Sequence, residues 1–296
     1  MVQQVCDYFD GLGGFNIYRC RRNLELEASQ ISGNRSSSIP GHIGMIDFMR
    51  TLDKNKTLFG TFIELPTPAS VEIAAHAGWD FVVIDCEHAP ISTNMLPEYL
   101  RAAEASGVAA IVRVAMNNAE WLQAALDSGA AGIQIPQIAS VEQARAAVEM
   151  ARFHPIGKRG FNGFVRAARY SAEPLAEYVA RSNKDTALIL QLESADAVTN
   201  ADLIAAIPGV DAIFVGPYDL SQSMGIPGDV NNPAVLAAGQ RVMATAASHG
   251  LAGAVFVNTV QAARTWAANG ARWISFSTDT YLLTEAQRNA RAAVAL

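Results

Sequence analysis

The amino-acid sequence predicts an α/β protein, a (β/α)8 barrel, on two observations. From Leu58 onward, eight short runs rich in β-branched and aromatic residues recur, separated by Ala- and Leu-rich segments whose apolar residues fall at helical spacing. The repeat of roughly 20–30 residues then builds a domain of the size such barrels have, typically about 250 residues. An open, doubly wound sheet is the alternative. It would place a glycine-rich phosphate turn after its first strand, whereas after Glu64 the chain reads "LPTPAS".

The expected strands, in order, are 58–65, 81–85, 109–114, 132–136, 187–193, 212–216, 252–257 and 273–277. Several are apolar without alternation, as a parallel sheet covered on both faces requires. Between them, stretches such as "TNMLPEYLRAAEAS" and "VEQARAAVEMARF" carry the helical period. The longer gap between the fourth and fifth strands holds "HPIGKRGFNGFVRAARYS", expected as a loop over the active-site mouth. Residues 1–44, with "GLGG", "RCRR" and "SGNRSSSIPG", differ from the rest. They are expected to be a poorly ordered extension, with Met45 as an alternative start, ahead of a barrel domain over 45–296; Asp7, Asp10, Glu25 and Glu27 oppose an organelle-targeting reading.

The bulk properties narrow the partners. A net charge of −6 and a pI near 5.4 argue against nucleic acid or an anionic membrane, since both need a basic surface. No apolar run reaches the roughly 18 residues a membrane span takes. Cys6, Cys20 and Cys86 have no zinc-type spacing, and three thiols without a disulfide framework suit a reducing cytosol, the expected location. A small-molecule substrate is therefore expected.

Barrel chemistry collects at the C-terminal ends of the strands, and polar residues gather there. The second strand ends in Asp85, Glu87 and His88, the third in Arg113, the fourth in Gln134, the fifth in Gln191 and Glu193, and the sixth runs through "GPYD" to Asp219. Gln191 and Glu193 are two apart, so they share a face with Ile189 toward the barrel interior. A carboxylate buried there needs a cation or a proton. Asp219 follows on the neighbouring strand, and two oxygen ligands with open positions suit Mg²⁺ or a similar divalent ion chelated by a 2-oxo acid. Arg113 would hold the charge of an enolate, and His88 would move protons.

Taken singly, each residue also has a structural role available. Glu193 reads as a cap or ion-pair partner, Arg113 as the counter-ion of Asp85, His88 before Pro90 as a turn residue and Cys86 as packing. The functional reading rests on convergence at one end of the barrel. Lys54, Lys56, Lys158 and Lys184 all lie away from strand ends, so a Schiff-base mechanism lacks its amine.

The segments "FVVIDCEHAP", "IVRV", "GIQIPQI", "ILQLESADAV", "FVGPYDLSQSMG" and "FSTDTYLL" resemble, in this order, the metal-dependent 2-keto-3-deoxy acid aldolases, from about residue 45 to the end. The resemblance implies a barrel of the phosphoenolpyruvate/pyruvate type, assembled as a homo-oligomer, usually a hexamer. Its reaction would be reversible cleavage of a 2-oxo-4-hydroxy acid into pyruvate and an aldehyde. By motif, Glu193 and Asp219 would bind the divalent metal (Mg, Mn or Co), with Gln191 beside it. Arg113 would bind pyruvate and stabilise its enolate. His88 would transfer protons through metal-bound water, and Asp127 matches the acid that pairs with this histidine. The amides around Gly216, Pro217 and Tyr218 would border the substrate carboxylate. Departures include Cys86 in place of a small residue, Tyr218 in place of Ala or Ser, and Gln137 in place of Met or Leu. A citramalyl- or malyl-CoA-type lyase on the same barrel, or a non-catalytic 2-oxo-acid-binding barrel, are the alternatives.

Overall fold

The computed structural model describes residues 57–295; the expected N-terminal extension and the boundary at residues 44 and 45 lie outside these residues. The eight strands close into one parallel barrel in sequence order: β1 (Leu58–Ile63), β2 (Phe81–Asp85), β3 (Ala109–Arg113), β4 (Gly132–Ile135), β5 (Ala187–Leu192), β6 (Ala212–Val215), β7 (Ala252–Val257) and β8 (Trp273–Thr278). Seven fall inside the expected runs, and β8 extends one residue further. The helices are α1 (Ala69–Ala77), α2 (Leu96–Ser106), α3 (Ala119–Asp127), α4 (Val141–Ala151), α5 (Leu175–Asp185), α6 (Ala195–Ala205), α7 (Pro217–Ser223), α8 (Pro233–Ser248), α9 (Val260–Ala268) and α10 (Asp279–Ala293).

Local sequence fixes where helices begin. Asn118, Ser140, Ser194, Thr259 and Thr278 each accept a bond from a first-turn backbone N–H, and Gln143 completes a capping box with Ser140.

Alternation along the strands sorts residues into two cores. Outward side chains such as Val82, Ile84, Val112, Ile133, Leu190 and Ile213 pack under the helices. Inward ones, among them Phe62, Phe81, Val83, Ile111, Ile189, Phe214 and Trp273, fill the barrel. The inward series continues past each apolar layer: Phe81, Val83 and Asp85 on β2, Ala109, Ile111 and Arg113 on β3, and Ala187, Ile189 and Gln191 on β5. The interior therefore changes from apolar to polar at the C-terminal ends, where the mouth opens. Between β1 and β8 the register shifts near Gly60 and Phe62, and Ser277 takes a left-handed φ of 58°. This bulge carries Ser277 and Thr278 to the mouth.

The segment 154–171 corrects the sequence reading. It does not cover the mouth, because α4 returns the chain to the opposite end of the barrel before the segment begins. There Arg152 donates to the carbonyls of Thr186 and Gly209, Arg159 pairs with Asp127 at 2.6 Å, and Arg166 donates to the Ser128 carbonyl at 2.8 Å. Thr186 directly precedes β5, and Asp127 and Ser128 directly precede the turn into β4.

Among the described residues, no helix is long and apolar enough to cross a membrane.

Candidate active site

A cavity of about 440 Å³ opens at the C-terminal end of the barrel, and His88, Arg113, Gln191, Gly216, Pro217, Tyr218 and Asp219 all line it. Seven of the nine expected site residues thus meet in one place. Glu193 stands immediately behind that wall, 6% exposed.

Arg113 is fixed from three directions. Its Nε and Nη2 donate to the two oxygens of Asp85 at 2.9 and 2.6 Å, and its Nη1 lies 3.2 Å from Glu87 Oε2. Its guanidinium carbon stacks 4.7 Å from the centre of the Phe62 ring. Asp85 is fully buried and Arg113 is 8% exposed, so the pair is a desolvated, bidentate ion pair. Burial is the largest single influence and opposes the Arg113 charge, but the bonds to Asp85 together with the negative charges of Asp85, Glu87 and Glu193 outweigh it and its pKa is raised. The counter-ion arrangement and the placement of Arg113 at the mouth coexist, because the fork spends its edges on the acids while the residue still lines the cavity.

Glu193 is held by amides. The backbone N–H of Gln137 donates to Oε1 at 2.7 Å, and Gln191 Nε2 donates to Oε2. Gln191 in turn accepts from Gln134 Nε2, so three strand-end residues form one chain of bonds. Gln137 reaches this position through a left-handed φ of 58°, a conformation that costs energy in a non-glycine residue. Its side chain also donates to Glu87 Oε1 at 3.1 Å, bridging the two acids. A Cβ on Gly216 would stand 2.6 Å from Glu193 Oε2, so the carboxylate and the turn into α7 fit only around a glycine.

The electrostatics of this corner ask for positive charge. Burial pushes the Glu193 carboxyl up to about 7, and the negative charges of Asp219 and Glu87 add to it against the bonds from Gln191 and Gln137. Glu87 is raised as well, again first by burial. The described residues contain no cluster of three or more His, Cys, Asp or Glu side chains with metal-ligand geometry. What they offer is Asp219 on the cavity wall with the Glu193 carboxylate immediately behind it. That donor set fits a hard divalent cation completing its shell with water and substrate oxygens.

His88 is exposed at the rim, its Nε2 3.9 Å from Glu87 Oε2, and its backbone N–H bonds Asp85 Oδ1 at 3.3 Å. Asp127 is not brought to it. It ends α3 at the opposite end of the barrel, in the ion pair with Arg159, which also donates to Ser182 and Tyr178. Motif matching located Asp127 in the sequence but carried no information on which end of the barrel the end of α3 occupies. Cys86 packs in the outer core as a free thiol, and burial pushes its pKa up to about 12, which removes it as a nucleophile near neutrality.

The sequence reading leaves several cavity-lining residues unassigned, among them Glu64, Phe256 and Asn258. Glu64 stands at the end of β1, held through its backbone N–H by Asp279 Oδ1 at 2.9 Å and through its carboxylate by the Thr280 hydroxyl at 2.6 Å. Phe256 and Asn258 stand at the end of β7. All three continue the inward alternation of their strands, the signal that would have found them.

Residues 58–286 match the family model for HpcH/HpaI aldolase/citrate lyase. A hydroxypyruvate/pyruvate aldolase of Paraburkholderia phytofirmans is 36% identical over 81% of this chain and 94% of the relative. A 2-keto-3-deoxy-L-rhamnonate aldolase of Klebsiella pneumoniae is 33% identical over 81% of this chain and 89% of the relative. The crystal structure of a family protein from Burkholderia cenocepacia superposes with a TM-score of 0.80 at 36% identity, over 85% of this chain and 99% of that one.

Proposed function

Because the chain belongs to the HpcH/HpaI aldolase/citrate lyase family, we propose that this aldolase is divalent-metal dependent. In this reading it cleaves a 2-oxo-4-hydroxy acid reversibly to pyruvate and an aldehyde. The observation that carries the proposal is the buried Glu193 carboxylate beside Asp219 at a mouth where Arg113 is fixed.

Glu193 and Asp219 would hold the ion, Mg²⁺, Mn²⁺ or Co²⁺, with the Gln191 amide beside them. When bound, such an ion supplies Lewis acidity toward a 2-oxo acid. Arg113, immobilised by Asp85, presents fixed positive charge to the oxygen that becomes enolate. The turn at Gly216 and Tyr218 borders the substrate carboxylate, with Pro217 offering no N–H. His88 at the rim serves proton transfer to and from the 4-hydroxyl. Loss of that proton breaks the C3–C4 bond, leaving the electron pair on pyruvate C3 as the enolate, which then takes a proton. Asp127 enters only as a residue delivered by a second copy, since its own chain holds it at the far end.

The test is pyruvate release from a panel of 2-oxo-4-hydroxy acids, with and without chelator. Release that a chelator stops, and that borohydride does not trap, is expected; release surviving metal removal would refute the mechanism.

The raised Glu193 pKa gives a second expectation. With a folded value above the ordinary 4.5, this group's contribution to stability is full below that value and lost as pH rises through about 7. A bound cation stabilises the deprotonated form, so Mn²⁺ is expected to raise Tm more at pH 8 than at pH 6. Equal shifts in differential scanning fluorimetry would contradict it.

A homo-oligomer, a hexamer by resemblance, is supported by two unpacked surfaces. The helix α10 buries none of its residues, and an apolar groove lined by Phe59, Trp79, Val260, Ala263, Ala267 and Phe276 lies open. Light scattering after gel filtration is expected to give a multiple of 31.5 kDa; a monomer at micromolar concentration would contradict this. A cytosolic location is in keeping with the free thiol of Cys86. Against the CoA-lyase alternative, the basic residues it would draw on, Lys158, Arg159, Arg166 and Arg169, pair with Glu149, Asp127, Glu104 and Glu173, and none of them lines the mouth cavity of this chain.

A further inference from the structure

We propose that Tyr218, Asn258 and Glu64 form the subsite for the aldehyde partner, and that they select an uncharged, hydroxylated aldehyde over one carrying a second anionic group. The inference rests on the reading above, that a pyruvate enolate forms beside Glu193 and Asp219.

Position comes first. Tyr218 directly precedes Asp219, and Asn258 and Glu64 reach the same cavity from β7 and β1. The three residues therefore face the space next to the enolate carbon, where the bond to the aldehyde carbon forms and the aldehyde oxygen takes up a proton.

Chemistry comes second. Asn258 Nδ2 donates to the Tyr218 hydroxyl oxygen at 2.6 Å, and the Phe256 ring meets Tyr218 edge-on at 5.9 Å. These contacts fix the tyrosine although it is 41% exposed. A phenol that already accepts a bond still has its own proton to give, and no described residue receives it. Glu64 is the complement. One oxygen accepts from Thr280, and the carboxylate otherwise faces the cavity as an acceptor. A fixed donor and a fixed acceptor across one space are what a substrate hydroxyl, itself donor and acceptor, requires.

Charge comes third. The lining carries Glu64 and Asp219, with Glu193 and Glu87 close behind, and Arg113 is the one Arg or Lys among its described residues. That arginine is already paired with Asp85. A second carboxylate on the aldehyde would meet like charge, and among the described lining residues only the rim-exposed His88, itself beside Glu87, is left to carry positive charge.

The experiment measures aldol addition of pyruvate to lactaldehyde, propionaldehyde and succinic semialdehyde. The kcat/KM for lactaldehyde is expected to exceed each of the other two by about tenfold or more, the discrimination a hydrogen-bonding site gives. In Tyr218→Phe, the lactaldehyde-to-propionaldehyde ratio is expected to fall about tenfold through the aldehyde KM, and Asn258→Ala should move it the same way. Glu64→Gln is expected to narrow the gap between lactaldehyde and succinic semialdehyde. A wild-type preference for either competitor would overturn the proposal, as would an unchanged ratio in both Tyr218→Phe and Asn258→Ala. Deuterium exchange into the pyruvate methyl separates the two levels. Exchange without the aldehyde preference overturns this proposal alone, and no exchange in the wild type overturns it together with the reading it rests on.

Discussion

Glu193→Gln is expected to lower kcat by at least about 10³-fold and to abolish the response of Tm to divalent ions. The substitution keeps the side-chain shape and leaves a carbonyl oxygen to accept from the Gln137 N–H, now 2.7 Å from the carboxylate. What it removes is the negative charge that, with Asp219, draws a cation to the mouth. One electrostatic stabiliser of a developing oxyanion is worth about 10²–10³ in kcat, and losing a ligand of the ion exceeds that. It also removes the charge whose burial raises the carboxyl to about 7, so the metal-free variant is expected to be at least as stable as the metal-free wild type at pH 8. Turnover within tenfold of wild type, or an intact metal-induced Tm shift, would refute the ligand assignment.

Arg113→Lys is expected to lower kcat/KM by about 10²-fold. A lysine keeps the charge but not the fork that bonds both oxygens of Asp85, nor the planar face on Phe62. Its ammonium would be drawn to Asp85 and away from the substrate oxygen. Arg113→Ala would leave the buried Asp85 carboxylate with backbone N–H donors but no counter-ion, at a cost of about 3–5 kcal/mol, so loss of activity in that variant would not separate chemistry from folding. The lysine variant does. A folded Arg113→Lys with kcat/KM within twofold of wild type would reduce Arg113 to a counter-ion.

How far the sequence carries this site depends on the kind of residue. The strands were readable because eight parallel strands covered on both faces must be nearly continuous apolar runs. Asp85, Arg113, Gln191 and Glu193 were readable because they break those runs at the end where a barrel does its chemistry. Glu64, Phe256 and Asn258 obey the same alternation, yet Phe256 continues an apolar run without a break and Glu64 precedes a Pro-rich turn, so neither stood out. The bridging role of Gln137 depends on a left-handed backbone that no local propensity announces. Segment 154–171 was misplaced for a different reason. Its length suggests a loop over the mouth, but connectivity decides the end at which a loop lies, and α4 reverses the chain before it. The corresponding reversal by α3 separates Asp127 from His88 within one chain.

The most direct measurement is exchange of the pyruvate methyl protons for deuterium, followed by NMR on metal-free protein before and after adding Mn²⁺ or Mg²⁺, with quantification after chelation. It isolates enolate formation from the identity of the aldehyde. Exchange that appears with the ion, disappears on chelation and is absent in Glu193→Gln is the expected result. Exchange that proceeds at the same rate without a metal, or that survives in Glu193→Gln, would contradict an enolate formed at the Glu193–Asp219 mouth.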